Sequence, residues 1–336
     1  MSAAASARPF GALILDKPEG PTSHDLVGWV RWALGVRRVG HCGTLDPAAS
    51  GVLVVCVGPA TRLVPYLTGV DKVYEARVEL GTATDSADRE GEVTATAAVD
   101  DDVLARASAT LEGMRGLLSL PPPAFSAVKV DGERAHRKAR RGDEVALPPR
   151  PMTVHDITGI KVHRTGSKAL VEATIKVSKG TYIRSLAVEL GRRLGVPAHL
   201  AGLRRTAAGS LALGASAVAV TASREDGGRW RCQLEGDASR EFARAGLERA
   251  YLDPTGALPF PRHELCDDDV FTRLAQGQSI ALDAIPLPPL ADGSHCLVRP
   301  GPAGPAVVVI AAVRALADAR VLTPERVLRI ADHPRS

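Results

Sequence analysis

Two hydrophobic periodicities and the order in which they occur predict an α+β fold. Apolar residues alternate strictly over Lys72 to Gly81 and again over Val171 to Val177, the period-two signature of half-buried strands. Between Leu26 and Leu34, and between Leu186 and Leu194, they instead recur every three or four residues, as on one face of a helix. The two kinds of segment mix without the regular strand–helix–strand repeat of a doubly wound sheet, and no internal repeat of fixed period is present.

The elements follow in chain order. Ala12 to Leu15 read as a short buried strand ended by the turn-rich Asp16-Lys17-Pro18-Glu19-Gly20. Ser23 is expected to cap a helix carrying Leu26, Val27, Val30, Ala33 and Leu34 on its buried side, with Gly35 at the C-terminal glycine position. Leu53 to Val57 form a second buried strand. In the strand that follows, Tyr74, Ala76, Val78 and Leu80 face the core while Glu75, Arg77 and Glu79 face water. Leu104, Ala107 and Leu111 give an amphipathic helix over 101–111, and Pro121-Pro122-Pro123 break the chain before Phe125. The strand Val171–Val177 ends at Lys179-Gly180, and a helix follows with Leu186, Leu190 and Leu194 inside and Glu189, Arg192 and Arg193 on the wet side.

From 215 to 256 the pattern weakens around Gly227-Gly228, so this stretch is expected to be a divergent linker or insertion. Residues 257–336 read as short strands broken by Gly and Pro, with one short helix over 269–275, a small β-rich domain. The expected organisation is therefore a disordered N-terminus at 1–10, a main domain at 11–256 and a C-terminal domain at 257–336.

Composition narrows the function classes. The chain has 336 residues, 45% of them hydrophobic and 24% charged, and a mean hydropathy of +0.01. With no apolar run of about 18 residues it fits neither a disordered chain nor a membrane span. The first ten residues lead into no hydrophobic signal core, which makes the cytoplasm the expected location. Cys42, Cys56, Cys232, Cys266 and Cys296 are widely spaced and include no CxxC pair, so they read as reduced thiols, neither zinc ligands nor a disulfide framework. The formal charge is +4, but 161–205 alone carries 10 basic residues against 2 acidic ones, a local surface suited to a polyanion.

The segment with the most unusual chemistry is Gly40-His41-Cys42-Gly43-Thr44-Leu45-Asp46-Pro47-Ala48-Ala49-Ser50-Gly51. Its three glycines, Gly40, Gly43 and Gly51, and an Asp-Pro pair just before a buried strand describe a tight, shaped loop. A residue before proline is pushed to extended backbone, which holds the Asp46 side chain clear of any helix. Ser23-His24-Asp25 contains the residue types of a catalytic triad, but three consecutive residues at a helix start cannot converge their side chains.

Taken with Lys72-Val73-Tyr74 and Gly180-Thr181-Tyr182-Ile183-Arg184, this loop resembles that of the TruB-type tRNA pseudouridine-55 synthases. The resemblance runs from Leu15-Asp16-Lys17-Pro18 through Gly58-Pro59-Ala60-Thr61, Thr84-Asp85 with Asp88, Pro122-Pro123, Phe125-Ser126-Ala127 and Lys129 to Leu203-Arg204-Arg205, in order over roughly 11–210. It implies a pseudouridine-synthase fold, a mixed and largely antiparallel sheet flanked by helices, with a small β-rich PUA-like domain at the C-terminus. It also implies an enzyme that flips uridine 55 out of the tRNA T-loop and re-forms its glycosidic bond to carbon. That isomerisation has no net redox change and transfers no group to another molecule, so neither a cofactor nor a metal is expected.

By the same resemblance, Asp46 is the catalytic aspartate, as nucleophile or base, Arg184 is its partner and Tyr74 stacks on the target base. His41, Tyr182, Leu203, Lys17 and Lys129 are the implied substrate-binding residues. Lys129 to Arg150 is implied to insert against RNA, although His136-Arg137 depart from the family pattern there. The implied partner is tRNA, held by its T-arm and, through the C-terminal domain, its acceptor end; a monomer with no membrane association is expected. Because the pocket residues lie within 41–203, a chain cut after Ala257 is expected to keep its chemistry and lose RNA affinity. Two rival readings share parts of the pattern: a guide-RNA-dependent synthase, and a non-enzymatic RNA-binding module that retains the pocket.

Overall fold

The structure is a computed structural model that describes residues 11–126, 128–130, 133–141, 147–301, 304–316 and 319–329. The N-terminal segment 1–10 lies outside the described residues.

An 11-stranded mixed sheet organises residues 11–234. Its main strands are β1 (Gly11–Lys17), β2 (Val39–His41), β3 (Ala49–Val57), β4 (Lys72–Leu80), β5 (Gly116–Leu120), β6 (Arg150–Thr165), β7 (Lys168–Val177), β8 (Ala198–Ala208), β9 (Ala217–Arg224) and β10 (Trp230–Leu234). They lie in the order β10-β9-β1-β3-β8-β4-β7-β6-β5, with β2 on β3 and the short strand Leu211–Ala212 on β8. Only β1–β9 and β3–β8 pair in parallel, so the sheet is largely antiparallel, as expected.

Helices α1 (Ser23–Leu34) and α4 (Arg240–Arg249) cover one part of this sheet, and α2 (Asp101–Glu112) and α3 (Ile183–Leu194) cover another. The alternation over β4 holds: Tyr74, Ala76, Val78 and Leu80 are buried together with Leu186, Leu190 and Leu194 of α3 and Val103, Ala107 and Leu111 of α2.

β1 and β3 are buried on both faces. Leu13, Leu15, Leu53, Val55 and Val57 pack against α1 and α4, while Ala12, Ile14, Val52, Val54 and Cys56 form the opposite face. That opposite face meets a second, five-stranded sheet at the C-terminus, built from β11 (Arg262–Glu264), β12 (Ile280–Ala281), β13 (Gly293–Gly301), β14 (Gly304–Leu316) and β15 (Ala319–Arg329) in the order β11-β13-β14-β15-β12. Cys296, Val298, Val308, Ile310 and Leu328 of this sheet share one apolar core with β1 and β3. Its other face packs on α5 (Asp268–Ala275) through Phe271 and Leu274. The β-rich character of the C-terminus follows the sequence reading, but its core is continuous with that of the main sheet.

Three further readings are corrected. The stretch 215–256 is folded rather than a linker: β9 adds to β1 in parallel, β10 adds to β9, and α4 packs beneath them through Ala243 and Leu247. β9 is built mostly from Ala, Val, Thr and Ser, and β10 (Trp-Arg-Cys-Gln-Leu) spans only five residues, so neither writes a clear alternation. The cap of α1 is Thr22, whose hydroxyl accepts from the Asp25 amide while the Asp25 carboxylate accepts from the Thr22 amide, a reciprocal capping box. Glu189 is buried, drawn in by bonds from Arg192 and Arg193 at 2.7 to 2.9 Å, where helical position alone put it in water.

All five cysteines are free thiols. Cys42 and Cys56 touch, sulfur to sulfur, at 3.5 Å inside the core. Among the described residues, no helix is long and apolar enough to cross a membrane, and no group of three or more His, Cys, Asp or Glu could hold a metal ion.

Candidate active site

Asp46 stands on the loop between β2 and β3, and the local sequence explains how that loop is held. Of its carbonyls, those of Gly43 and Thr44 accept from the Arg205 guanidinium at 3.0 and 3.4 Å. The Leu45 carbonyl accepts from the Ser23 hydroxyl at 3.1 Å, and the same hydroxyl accepts from the Leu45 amide at 2.9 Å. The Asp46 carbonyl accepts from the Ala49 amide. The Pro47 and Ala49 carbonyls accept from Lys17 Nζ at 3.2 and 2.7 Å. Side chains from β8, α1 and β1 therefore grip one loop, and almost every carbonyl from 43 to 49 has a donor. A buried carbonyl without one would cost about 1–3 kcal/mol.

Where the loop enters β3, Gly51 has φ +99°, and a Cβ there would lie 2.1 Å from the Arg205 carbonyl oxygen. Only glycine meets both the left-handed backbone and that approach. The parallel pairing of β3 with β8 sets Leu203 against Ala49, Arg204 against Ser50 and Arg205 against Gly51.

Arg184, the second residue of α3, is 5% exposed, and its Nη2 reaches Asp46 Oδ2 at 3.0 Å. The rest of the guanidinium is also occupied: Nη1 donates to the Ser86 carbonyl at 3.0 Å and lies 3.4 Å from Asp88 Oδ2, and Nη2 donates to the Phe125 carbonyl at 2.9 Å. Asp88 is fixed in turn by the Ser86 hydroxyl at 2.6 Å and the Glu90 amide at 3.1 Å. A planar fork with fixed donors suits this many-sided grip. A buried arginine at a helix N-terminus faces the unfavourable end of the helix dipole, and the two carboxylates offset that charge.

Asp46 remains partly open to solvent, its side chain 42% exposed. Its pKa is nonetheless raised, because desolvation, helped by the nearby Asp88 charge, outweighs the stabilising charges of Arg184 and Lys17. Lys17 moves the other way: burial brings its pKa down to about 8, against the pull of Asp46 and Glu19.

A small cavity of about 10 Å³ adjoins this pair, lined by Asp46, Ala48, Ala49, Asp88, Arg89, Arg184, Leu200, Ala201, Gly202 and Leu203. Arg89 is tied across the surface to Glu19 at 2.5 Å. A larger groove of about 470 Å³ lies elsewhere, between β9 and α4.

Of the residues expected at the site, the structure gathers Asp46, Arg184 and Leu203 around the cavity. Tyr74 is buried on β4, in register with Arg205 of β8, and does not line the cavity. Tyr182 stands at the N-cap of α3, where burial raises its phenol pKa and Asp46 adds to the rise. His41 ends β2 with its ring edge against His24, centroids 5.4 Å apart, and burial lowers its pKa.

Lys17, expected to meet substrate, is fully buried beneath the loop with its three donors on the Pro18, Pro47 and Ala49 carbonyls, so it supports the loop and presents nothing outward. Lys129 falls in the two-residue strand Lys129–Val130, but its side chain is outside the described residues, as are 131–132 and 142–146 of the stretch implied to insert against RNA.

The sequence reading missed Ser23 and Arg205 as loop anchors and Asp88 as the second carboxylate on Arg184. Asp88 was visible in the motif Thr84-Asp85 with Asp88. Ser23 read as a cap and Arg205 as one charge in a basic run.

The fold is shared with a chain of a solved Cbf5–Nop10–Gar1 complex, which matches 95% of this chain and 84% of its own length, with a TM-score of 0.65 at 24% identity. The class of protein follows from two further likenesses. The N-terminal-domain model of the TruB family pseudouridylate synthases matches residues 31–183. A protein from Geobacillus kaustophilus named tRNA pseudouridine synthase B is 39% identical over 295 residues, which span 86% of this chain and 96% of that one. Proteins of the same name from Parasynechococcus marenigrum and Thermobifida fusca are 48% and 49% identical over 200 and 203 residues, covering 68% and 69% of their lengths. The chain belongs to the TruB family of pseudouridylate synthases.

Proposed function

We propose that this chain converts uridine 55 in the T-loop of tRNA to pseudouridine, with Asp46 as the residue that acts at C1′. The observation that carries this reading is the Asp46–Arg184 pair: a partly open carboxylate on an anchored loop, 3.0 Å from a buried guanidinium. The reaction breaks the bond from C1′ to N1 and makes one from C1′ to C5. C5 then loses its proton and N1 gains one, so the atoms balance without an oxidant, a metal or a second substrate. Whether Asp46 attacks C1′ or removes a ribose proton, it begins as an ionised carboxylate. Arg184 favours that form and orients it.

The target base has to leave its stack, at a cost of a few kcal/mol, to reach a carboxylate at the floor of a cleft. A cavity of about 10 Å³ does not hold a uracil ring, so its walls part on binding. Arg89 is the wall to move: its exposed ion pair with Glu19 is worth only about 0–1 kcal/mol. In this reading Tyr74 stacks on the base once the cleft opens, His41 and Tyr182 hold the extruded nucleotide, Leu203 packs beside it and Lys129 meets the RNA backbone. The domain at 257–336 is a PUA-like RNA-binding unit for the acceptor end while the catalytic domain takes the T-arm, and the enzyme acts as a monomer in the cytoplasm.

The test is tRNA transcript tritiated at uridine C5. Purified protein alone should release the label to water without cutting the strand and without added metal or nucleotide, and pseudouridine should map to position 55. Release only when a guide RNA is added, or modification at another position, would overturn the assignment; binding with no release from any tRNA would make the chain a binding module.

A further inference from the structure

Arg205 is the largest of the fully buried side chains, 1% exposed, and among the described residues no carboxylate lies within ion-pair distance of it. A cation in that position is costly to bury, and stability alone would favour an apolar residue of similar volume. All its described bonds go to main-chain carbonyls. Nε donates to Val52 at 2.7 Å, Nη2 to Gly43 at 3.0 Å and Nη1 to Thr44 at 3.4 Å. Its own main chain presses on Gly51, the only residue type that fits there. One residue of β8 therefore grips the loop at both ends, by its guanidinium at 43–44 and its backbone at 51, with Asp46 between. Directly after Arg205 the pairing of β8 with β4 slips by one residue, a local irregularity of the kind that re-aims side chains beside active sites.

We infer that Arg205 is a positioning residue for the reaction, fixing Asp46 relative to Arg184 by clamping the Gly43–Gly51 loop and never touching the RNA. The inference rests on Asp46 being the reacting carboxylate. A planar guanidinium reaches three carbonyls that diverge from one point; a lysine ammonium keeps the charge without that fixed geometry, and a glutamine offers two donors without the charge.

The test compares Arg205→Lys and Arg205→Gln with wild type in single-turnover tritium release with enzyme in saturating excess over tRNA, alongside tRNA affinity and hydrogen exchange. Both variants should lose about 100-fold in rate constant, the order expected for a reacting group displaced by about 1 Å. Affinity should stay near wild type, and faster exchange should be confined to 43–51. A merely structural role would raise the total enzyme concentration needed to saturate the reaction, through a smaller folded fraction, and leave the plateau rate constant alone. That outcome, or parallel losses of affinity and rate, would overturn the inference.

If neither variant folds, the wild-type protein still decides: the Arg205 guanidinium protons should be resolved and slow to exchange by ¹⁵N NMR, and rapid exchange would contradict the clamp. Asp46→Asn separates this inference from the reading beneath it. An active Asp46→Asn sinks the role of Asp46, whereas an inactive Asp46→Asn beside a fully active Arg205→Lys sinks only the role of Arg205.

Discussion

The loop carrying Asp46 and the C-terminal sheet both pack against β3, and they are held by opposite chemistry. The loop is tied by polar groups sent from three distant elements: Lys17 of β1, Ser23 of α1 and Arg205 of β8. The C-terminal sheet adheres through Cys296, Val298, Val308, Ile310 and Leu328, with a polar tie from Arg62 to the Val327 carbonyl. Apolar contact is non-directional and roughly proportional to area, so it secures a domain without fixing one atom. Hydrogen bonds to a main chain are directional, and they fix one carboxylate at the cost of burying charge. The difference separates the residues that keep this protein folded from those that aim its chemistry.

The comparison can be broken most severely by removing one side of it. A chain ending after Ala257 exposes the β1 and β3 face formed by Ala12, Ile14, Val52, Val54 and Cys56. Thermal denaturation should then show loss of the cooperative transition, which replaces the expectation that the shortened chain keeps its chemistry. A truncated protein that melts like the full chain and turns over at saturating tRNA would show that the shared core is dispensable.

Next in size is Arg184→Lys. Lysine cannot serve Asp46, Asp88 and the Ser86 and Phe125 carbonyls together. The single-turnover rate should fall about 100- to 1000-fold, the range seen when one preorganised donor is removed, with a much smaller change in tRNA affinity. Equal losses in both would assign Arg184 to a phosphate.

A crossed pair of small truncations sharpens the division. Leu328→Ala should lower unfolding free energy by about 2–5 kcal/mol and leave the turnover rate constant unchanged. Ser23→Ala strands the Leu45 amide and carbonyl; it should cost about 1–3 kcal/mol but slow turnover roughly tenfold, the shift of a slightly displaced group. Denaturant titration and single-turnover kinetics on both variants give the four numbers, and an uncrossed pattern would erase the distinction.

The smallest effect is in pH. Because the Asp46 pKa is raised, its ionised fraction falls as pH drops through a value above the usual carboxylate range, and the acid limb of the rate profile should lie there. Asp88 is one cause of the rise, so Asp88→Asn should move that limb to lower pH.

The same comparison explains what the sequence made legible. Alternation in β4 and the helical spacing of Leu186, Leu190 and Leu194 were readable because burial of one face writes its period into neighbouring residues. Asp46 and Arg184 were readable through the resemblance of their motifs to those of the TruB-type synthases; the Asp-Pro pair by itself indicated only an extended backbone at Asp46. The polar ties were not. Ser23 sits at a helix start, where serine ordinarily caps, and nothing local reveals that Leu45 takes its hydroxyl. Arg205 lies in a basic run, where an arginine reads as a surface charge, and its burial depends on three carbonyls more than 150 positions away in the chain. Strands β9 and β10 escaped notice because β9 is mostly small residues, with Val218 and Val220 its largest apolar side chains, and the five residues of β10 are too few to establish a period.

The most direct measurement is tritium release by Asp46→Asn, a change that keeps size and hydrogen bonding and removes the charge and the reactive oxygen. The account predicts tRNA affinity near wild type, an unchanged melting transition and no release of C5 tritium above background under single-turnover conditions. Release at the wild-type rate would show that a carboxylate elsewhere, or none, performs the isomerisation, and would contradict the role given to this loop.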